Sequence, residues 1–286
     1  MTSTIHDLGY RRYDGPREGP ASAWSALYVQ SLRAMFGIGR PLKAKGIPLL
    51  VLIVSTLPAL AVVTAASASG GAVPIRYGQL IGGQLFLFVL FIAAQAPEVL
   101  SRDQQHRLLP LLFTRDVTRM AYASARFMAV FTAMFCVAIA PMLLLYIGQY
   151  GAATDPSTAF KTIGTRIFPI LAQATLSAFA MAGIGTAIAS STPRRAYATA
   201  GIFGTFLLLA AIASGLDGLA GMSQRSAELL DPLRTMRTMA LILFEETNRG
   251  MELTPPQPLG VYIATTVAFG VIGVAVLVWR MRRIRA

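Results

Sequence analysis

The sequence predicts an all-α integral membrane protein with six transmembrane helices, an N-terminal interfacial helix and an outer amphipathic helix before the last span. Three observations carry this reading. First, only 13% of the 286 residues are charged, against roughly 25% in an ordinary soluble domain, and the mean hydropathy is +0.58. Second, the few charges are spaced to leave six long charge-free runs: Gly46 to Ile75, Tyr77 to Pro97, Phe127 to Thr154, Ile167 to Pro193, Ala196 to Leu216, and Leu253 to Trp279. The shortest has 21 residues, and the next longest run, Gly19 to Leu32, has 14. A bilayer core of about 30 Å needs about 20 residues of helix, so the gap falls at the spanning threshold. Third, the basic residues alternate by side. With the N-terminus inside, 18 of the 25 Lys and Arg and 6 of the 13 acids are cytoplasmic, a net of +12. The 7 basic and 7 acidic residues left outside cancel. That asymmetry orients the chain with both termini in the cytoplasm.

Taken in order, residues 1–45 form a cytoplasmic segment. Its polar start ends in the turn-prone GYRRYDGPREGP, and the lack of an early apolar run predicts no cleavable leader. From Ala21 to Phe36, Trp24, Tyr28, Leu32 and Met35 recur at helical spacing. This stretch is too short to span. It predicts a helix in the inner interface with its Trp and Tyr at headgroup level, in preference to a soluble helix packed on a partner. The transmembrane domain covers residues 46–279, with spans near 47–68, 77–97, 121–148, 167–190, 196–214 and 259–279. A cytoplasmic loop occupies 98–120 and a tight inner turn 191–195. In the outer segment 215–258, Asp231 before Pro232 is a helix start. Leu233, Met236, Ala240 and Phe244 then make one stripe, predicting an amphipathic helix on or dipping into the outer leaflet. The basic tail 280–286 holds the C-terminus inside.

Several chemistries are excluded. The only histidines, His6 and His106, lack metal-ligand spacing, and no G-x-x-x-x-G-K-[ST] loop can cradle ATP phosphates. No paired acids or His cluster suits an intramembrane enzyme, so no catalytic site is expected. No ionisable residue falls in the middle of a span, which disfavours an ion-coupled carrier. A sequence pI near 10.5 does not mark a nucleic-acid footprint, because the basic residues flank spans instead of forming a patch on a soluble fold. Cys136 is solitary and lies within span three, so no internal disulfide forms.

The strongest polar groups inside the spans are amides. Gln84 and Gln95 lie close to three full turns apart on span two, with Phe88 and Phe91 between them on the same face. An amide in hydrocarbon needs a partner. That face therefore looks at protein, as helix packing or a dimer seam, or at a translocation path; both readings predict the same orientation. Gly183 and Gly185 on span four, with Ala178 and Ala182, are expected close-packing positions.

The stretch EVLSRDQQHRLLPLLFTRDVTR after span two resembles the cytoplasmic loop of ATP-binding-cassette permeases of the second integral-membrane type, the type V exporter architecture. Glu98, Arg102, Asp103, Leu108, Leu111, Leu112, Thr118 and Arg119 match that pattern in kind and order. Gln104-Gln105 replaces the usual Gly-Thr, Pro110 interrupts the leucines, and Arg115-Asp116 stands where a proline is usual. The SSTPRRAYATA turn with Arg194 and Arg195 is similar to the family's second cytoplasmic loop. The interface helix, six spans and elaborated outer segment extend the likeness over nearly the whole chain, and the order of features carries it.

The resemblance implies a permease subunit of an ATP-driven exporter in a bacterial plasma (inner) membrane, and the apolar, aromatic face of span two would suit a hydrophobic or amphipathic substrate. A Leu-rich coupling helix, roughly Gln104 to Phe113, would insert into a separate ATPase chain that holds the ATP and Mg. Arg102, Arg107 and Arg115 would pair with its acidic groups, and the Glu98 and Asp103 acids favour this over a helix resting on lipid. Two six-span subunits, identical or related, would pair mainly through spans two and five. The competing reading is a non-transporting membrane scaffold whose cytoplasmic loop docks a partner. Neither reading calls for a cofactor in this chain or for nucleic acid.

Overall fold

A computed structural model describes residues 19–39, 42–68, 76–106, 108–114, 117–151, 163–219, 227–246 and 257–283. Ten α-helices follow one another among them: α1 (Pro20–Met35), α2 (Leu42–Ala68), α3 (Tyr77–Val99), α4 (Ser101–Gln105), α5 (Leu108–Phe113), α6 (Arg119–Gly151), α7 (Ile167–Ser191), α8 (Arg195–Leu219), α9 (Pro232–Leu243) and α10 (Leu259–Arg283). No strand occurs among the described residues. Six helices, α2, α3, α6, α7, α8 and α10, are long and apolar enough to cross a membrane. The chain is an all-α membrane protein, as its spacing of charges predicts.

Span two is the central pillar. α3 packs against α1, α2, α6, α7, α8 and α9 and buries the largest share of itself, whereas α2 and α8 bury the least. The most extensive seam joins α7 to α10. It is built on backbone contact, because a Cβ on Gly183 would lie 2.6 Å from the Gly270 carbonyl oxygen. Without a hydrophobic drive between helices in lipid, such close approach supplies the packing that holds them together.

The N-terminal helix uses its aromatic stripe against the bundle. Trp24 and Tyr28 stack on each other at 5.5 Å. Trp24 Nε1 donates to Ser124 Oγ at 2.9 Å and Tyr28 OH to Thr132 Oγ1 at 3.1 Å, both on α6. The aromatic stripe therefore binds the third span, because each ring buries its apolar body and finds a polar partner for its tip. α1 ends where Gly37 adopts φ 65°, with Gly37 N–H bonded to Ala34 O and Ile38 N–H to Arg33 O, a left-handed C-cap that favours glycine.

At the opposite end, α9 starts at the predicted residue: Asp231 Oδ1 accepts from Leu233 N–H at 2.9 Å, with Pro232 first in the helix. Its stripe faces inward. Met236 and Ala240 are fully buried and Phe244 nearly so, packed among α3, α7, α8 and α10. The outer helix thus docks its stripe on its own bundle. Beyond it, Glu245 takes φ 55°, and this turn aims the Glu246 carboxylate at the start of α3, where it accepts from Gly78 and Gln79 N–H at 3.0 and 3.2 Å. Amides of a first helical turn have no partner within the helix, and the negative charge suits that end of the helix dipole.

Candidate functional site: the basic end of the bundle

The arginines at 33, 102, 119, 126, 194, 195, 280, 282 and 283 gather at the end of the bundle where α3, α7 and α10 finish and α6 and α8 begin. The loop after span two lies among them, and its local structure follows from two prolines. α3 runs through Pro97 to Val99. Pro97 has no N–H, so the Ala93 carbonyl loses its helical partner. Thr199 Oγ1 of α8 donates to that carbonyl at 2.9 Å, tying span five to span two. Pro110 acts differently. The expected helix from Gln104 to Phe113 is divided between two short helices, with α4 ending at Gln105, His106 in a turn, and α5 starting at Leu108. Pro110 is the third residue of α5, where a missing N–H costs nothing, so the proline restarts the helix instead of kinking it.

α4 is fastened on both sides. Asp103 Oδ2 accepts from Tyr122 OH at 2.8 Å and pairs with the Arg126 guanidinium at 2.5 Å, both on α6. Arg126 Nη1 donates in turn to Ser31 Oγ on α1, and the Ser31 hydroxyl donates to Leu27 O. All these polar side chains are buried. On the other side Ser101 Oγ donates to Ala189 O and Gln104 Nε2 to Ser190 O, each at 2.8 Å. Those are C-terminal carbonyls of α7, where helical donors are lacking. Arg280 of α10 reaches Ser190 O and Ser191 O at 3.3 and 3.1 Å. Glu98 sits between Arg102 at 2.7 Å and Arg195 at 2.9 Å, joining the two loops. Arg194 is exposed and lies over the Tyr197 ring at 5.5 Å.

The residues expected to meet an ATPase therefore divide. Glu98, Asp103 and Arg195 are engaged within the chain, and Arg102 is half-exposed beside Glu98. Arg107 and Arg115 lie outside the described residues. Of the leucines, Leu111 is 66% exposed and Leu108 39%, whereas Leu112 packs against the core, as does the buried Leu109. The open apolar face of α5 is thus Leu108 with Leu111.

Gln84, Phe88, Phe91 and Gln95 do share one face of α3, and all four are buried within this single chain. Gln84 Nε2 donates to Ser55 O of α2 at 2.7 Å, and Phe91 meets Phe36 with ring centroids 6.3 Å apart. The open edge of α3 is elsewhere: Phe86, 66% exposed, lies 6.5 Å from Phe203 of α8.

Sequence reasoning missed Tyr122, Ser31 and Thr199. One signal was present. Arg126 stands alone inside an apolar stretch, and a buried guanidinium demands an acid. Among the described residues no group of three His, Cys, Asp or Glu could hold a metal ion. No family model and no curated protein sequence matches the chain.

Proposed function

We propose that this chain is the membrane-spanning permease subunit of an ATP-driven transporter, exporting a hydrophobic or amphipathic substrate and powered by a separate ATPase chain. The observation that carries the reading is the placement of α5. Its Leu108 and Leu111 stand open at the basic end, an apolar pair beside cations, which suits a partner protein. The helix is joined through α4 to α1, α6, α7 and α8 by the bonds of Asp103, Ser101, Gln104 and Glu98. A push on α5 has a hydrogen-bonded route into four helices, which a transmission element requires and a simple tether does not. ATP and Mg would reside on the partner.

Pairing with a second permease, identical or related, would use the least buried span, α8, together with the Phe86 edge of α3. Leu207 and Leu208 there are 73% and 60% exposed, and either lipid or a second chain can cover them.

The test is association. Leu108→Asp with Leu111→Asp places two charges on the open face of α5 and leaves Leu109 and Leu112 in the core. The double variant is expected to insert and express as wild type while losing co-purification of the ATPase at least about tenfold, since a buried unpaired carboxylate costs several kcal/mol. Undiminished co-purification would remove α5 as the coupling element. Absence of any ATPase from wild-type preparations would favour the scaffold.

A further inference from the structure

A cleft of about 680 Å³ opens at the basic end between α1 and the α3–α4–α5 segment. It is separate from the outward face of Leu111, which does not line it. Val29, Gln30, Arg33 and Ile38 form one wall, and Arg102 and Leu108 belong to the other. The wall carries a net positive charge. Arg33, Arg102 and Arg126 set three cations against the two carboxylates of Glu98 and Asp103, and Arg195, outside the cleft, also pairs with Glu98. Asp103 is committed to Arg126 and Glu98 to two arginines, while Arg33 makes no ion pair among the described residues.

The depth of the cleft matters as much as its charge. α1 is pinned to α6 at Ser124 and Thr132, both within the third candidate span. The α1 wall therefore runs beside the first half of a helix apolar enough to cross the membrane. Its rim is apolar and open, with Val29 41%, Ile38 59% and Leu108 39% exposed. A soluble anion has no use for such a rim. An anionic phospholipid uses both parts, its phosphate beside the arginines and its acyl chains along the rim and into the membrane.

We infer that this cleft binds the headgroup of an anionic phospholipid from the leaflet at the basic end, with Arg33 and Arg102 facing the phosphodiester and Gln30 beside it. The inference needs neither ATPase nor substrate and shares with the transporter reading only Leu108, which stands on the rim of the cleft.

The full chain, purified in a neutral detergent and stripped of lipid, is titrated with phosphatidylglycerol or phosphatidylcholine of matched acyl chains and read by native mass spectrometry. One phosphatidylglycerol per chain is expected to be retained at concentrations where phosphatidylcholine is not. Arg33→Gln with Arg102→Gln weakens retention about thirtyfold, the product of two near-surface cations. Both side chains are exposed, and Arg195 still holds Glu98, so the fold is kept; an unchanged thermal unfolding midpoint checks this. Arg282→Gln with Arg283→Gln removes the same charge from the exposed end of α10 and leaves retention as in wild type. Ile38→Asp weakens it too, by placing a like charge on the rim. Inorganic phosphate in excess does not displace the lipid. Equal retention by the Arg33/Arg102 variant and wild type overturns the site. Equal loss in the Arg282/Arg283 variant reduces it to diffuse attraction, and displacement by inorganic phosphate makes it a pocket for a soluble anion.

Discussion

Pro97 withholds an amide inside a buried helix, and Thr199 supplies the hydroxyl that takes its place on the Ala93 carbonyl at 2.9 Å. This exchange is a testable unit. Thr199→Val leaves a carbonyl without a donor in low dielectric and is expected to cost about 1–3 kcal/mol. In a Pro97→Ala background the restored backbone N–H can close the ordinary helical bond, and the same Thr199→Val change should cost less than about 0.5 kcal/mol. Thermal unfolding of the four proteins in detergent closes the cycle; equal costs in both backgrounds would show that the hydroxyl does not serve the proline gap. The Asp103–Arg126 pair is the same lesson in charges. Its Coulomb energy inside the protein is offset by desolvation, and what it secures is position, with Tyr122 and Ser31 holding both partners. Gln84 shows the pattern with an amide: its Nε2 reaches Ser55 O while its Oε1 is buried without a partner.

At the scale of elements, the seam between α7 and α10 depends on having no side chain at its crossing. A Cβ at Gly183 would press on the backbone of Gly270, which cannot rotate away as a side chain could. Gly183→Leu is therefore expected to separate the two spans and lower stability by about 1–3 kcal/mol or more. Gly204→Leu on α8, where a Cβ meets nothing within 4 Å, should be tolerated. Unfolding midpoints and the monodispersity of the two variants decide between them, and equal tolerance would mean that the seam opens without cost. Helix α9 makes a complementary point. Its stripe of Met236, Ala240 and Phe244 is legible from residue spacing, but a stripe says only that something apolar covers it. Here the cover is the bundle itself, and Glu246 secures it by capping α3.

For the molecule as a whole, orientation rests on the charge asymmetry between its ends. In a Cys136→Ser background, necessary because Cys136 is exposed, a cysteine replacing Thr165 should react with an impermeant thiol reagent added to intact cells, and one replacing Gln105 should not. Both positions are exposed at opposite ends of the bundle; labelling at Gln105 alone would invert the topology. The six long apolar helices, the basic end and the start of α9 were all legible in the sequence. They follow from hydropathy, charge spacing and capping, which act over one helix length and need no knowledge of neighbours. The shared face of Gln84, Phe88, Phe91 and Gln95 was legible for the same reason, since helical periodicity is local. What that face meets was not, nor were the turning inward of Asp103 and Glu98, the docking of Trp24 and Tyr28 on α6, and the break between α4 and α5. Each depends on which residue, often a hundred positions away, arrives opposite. That is set by packing of whole helices, and a pattern read along one stretch of sequence contains no information about it.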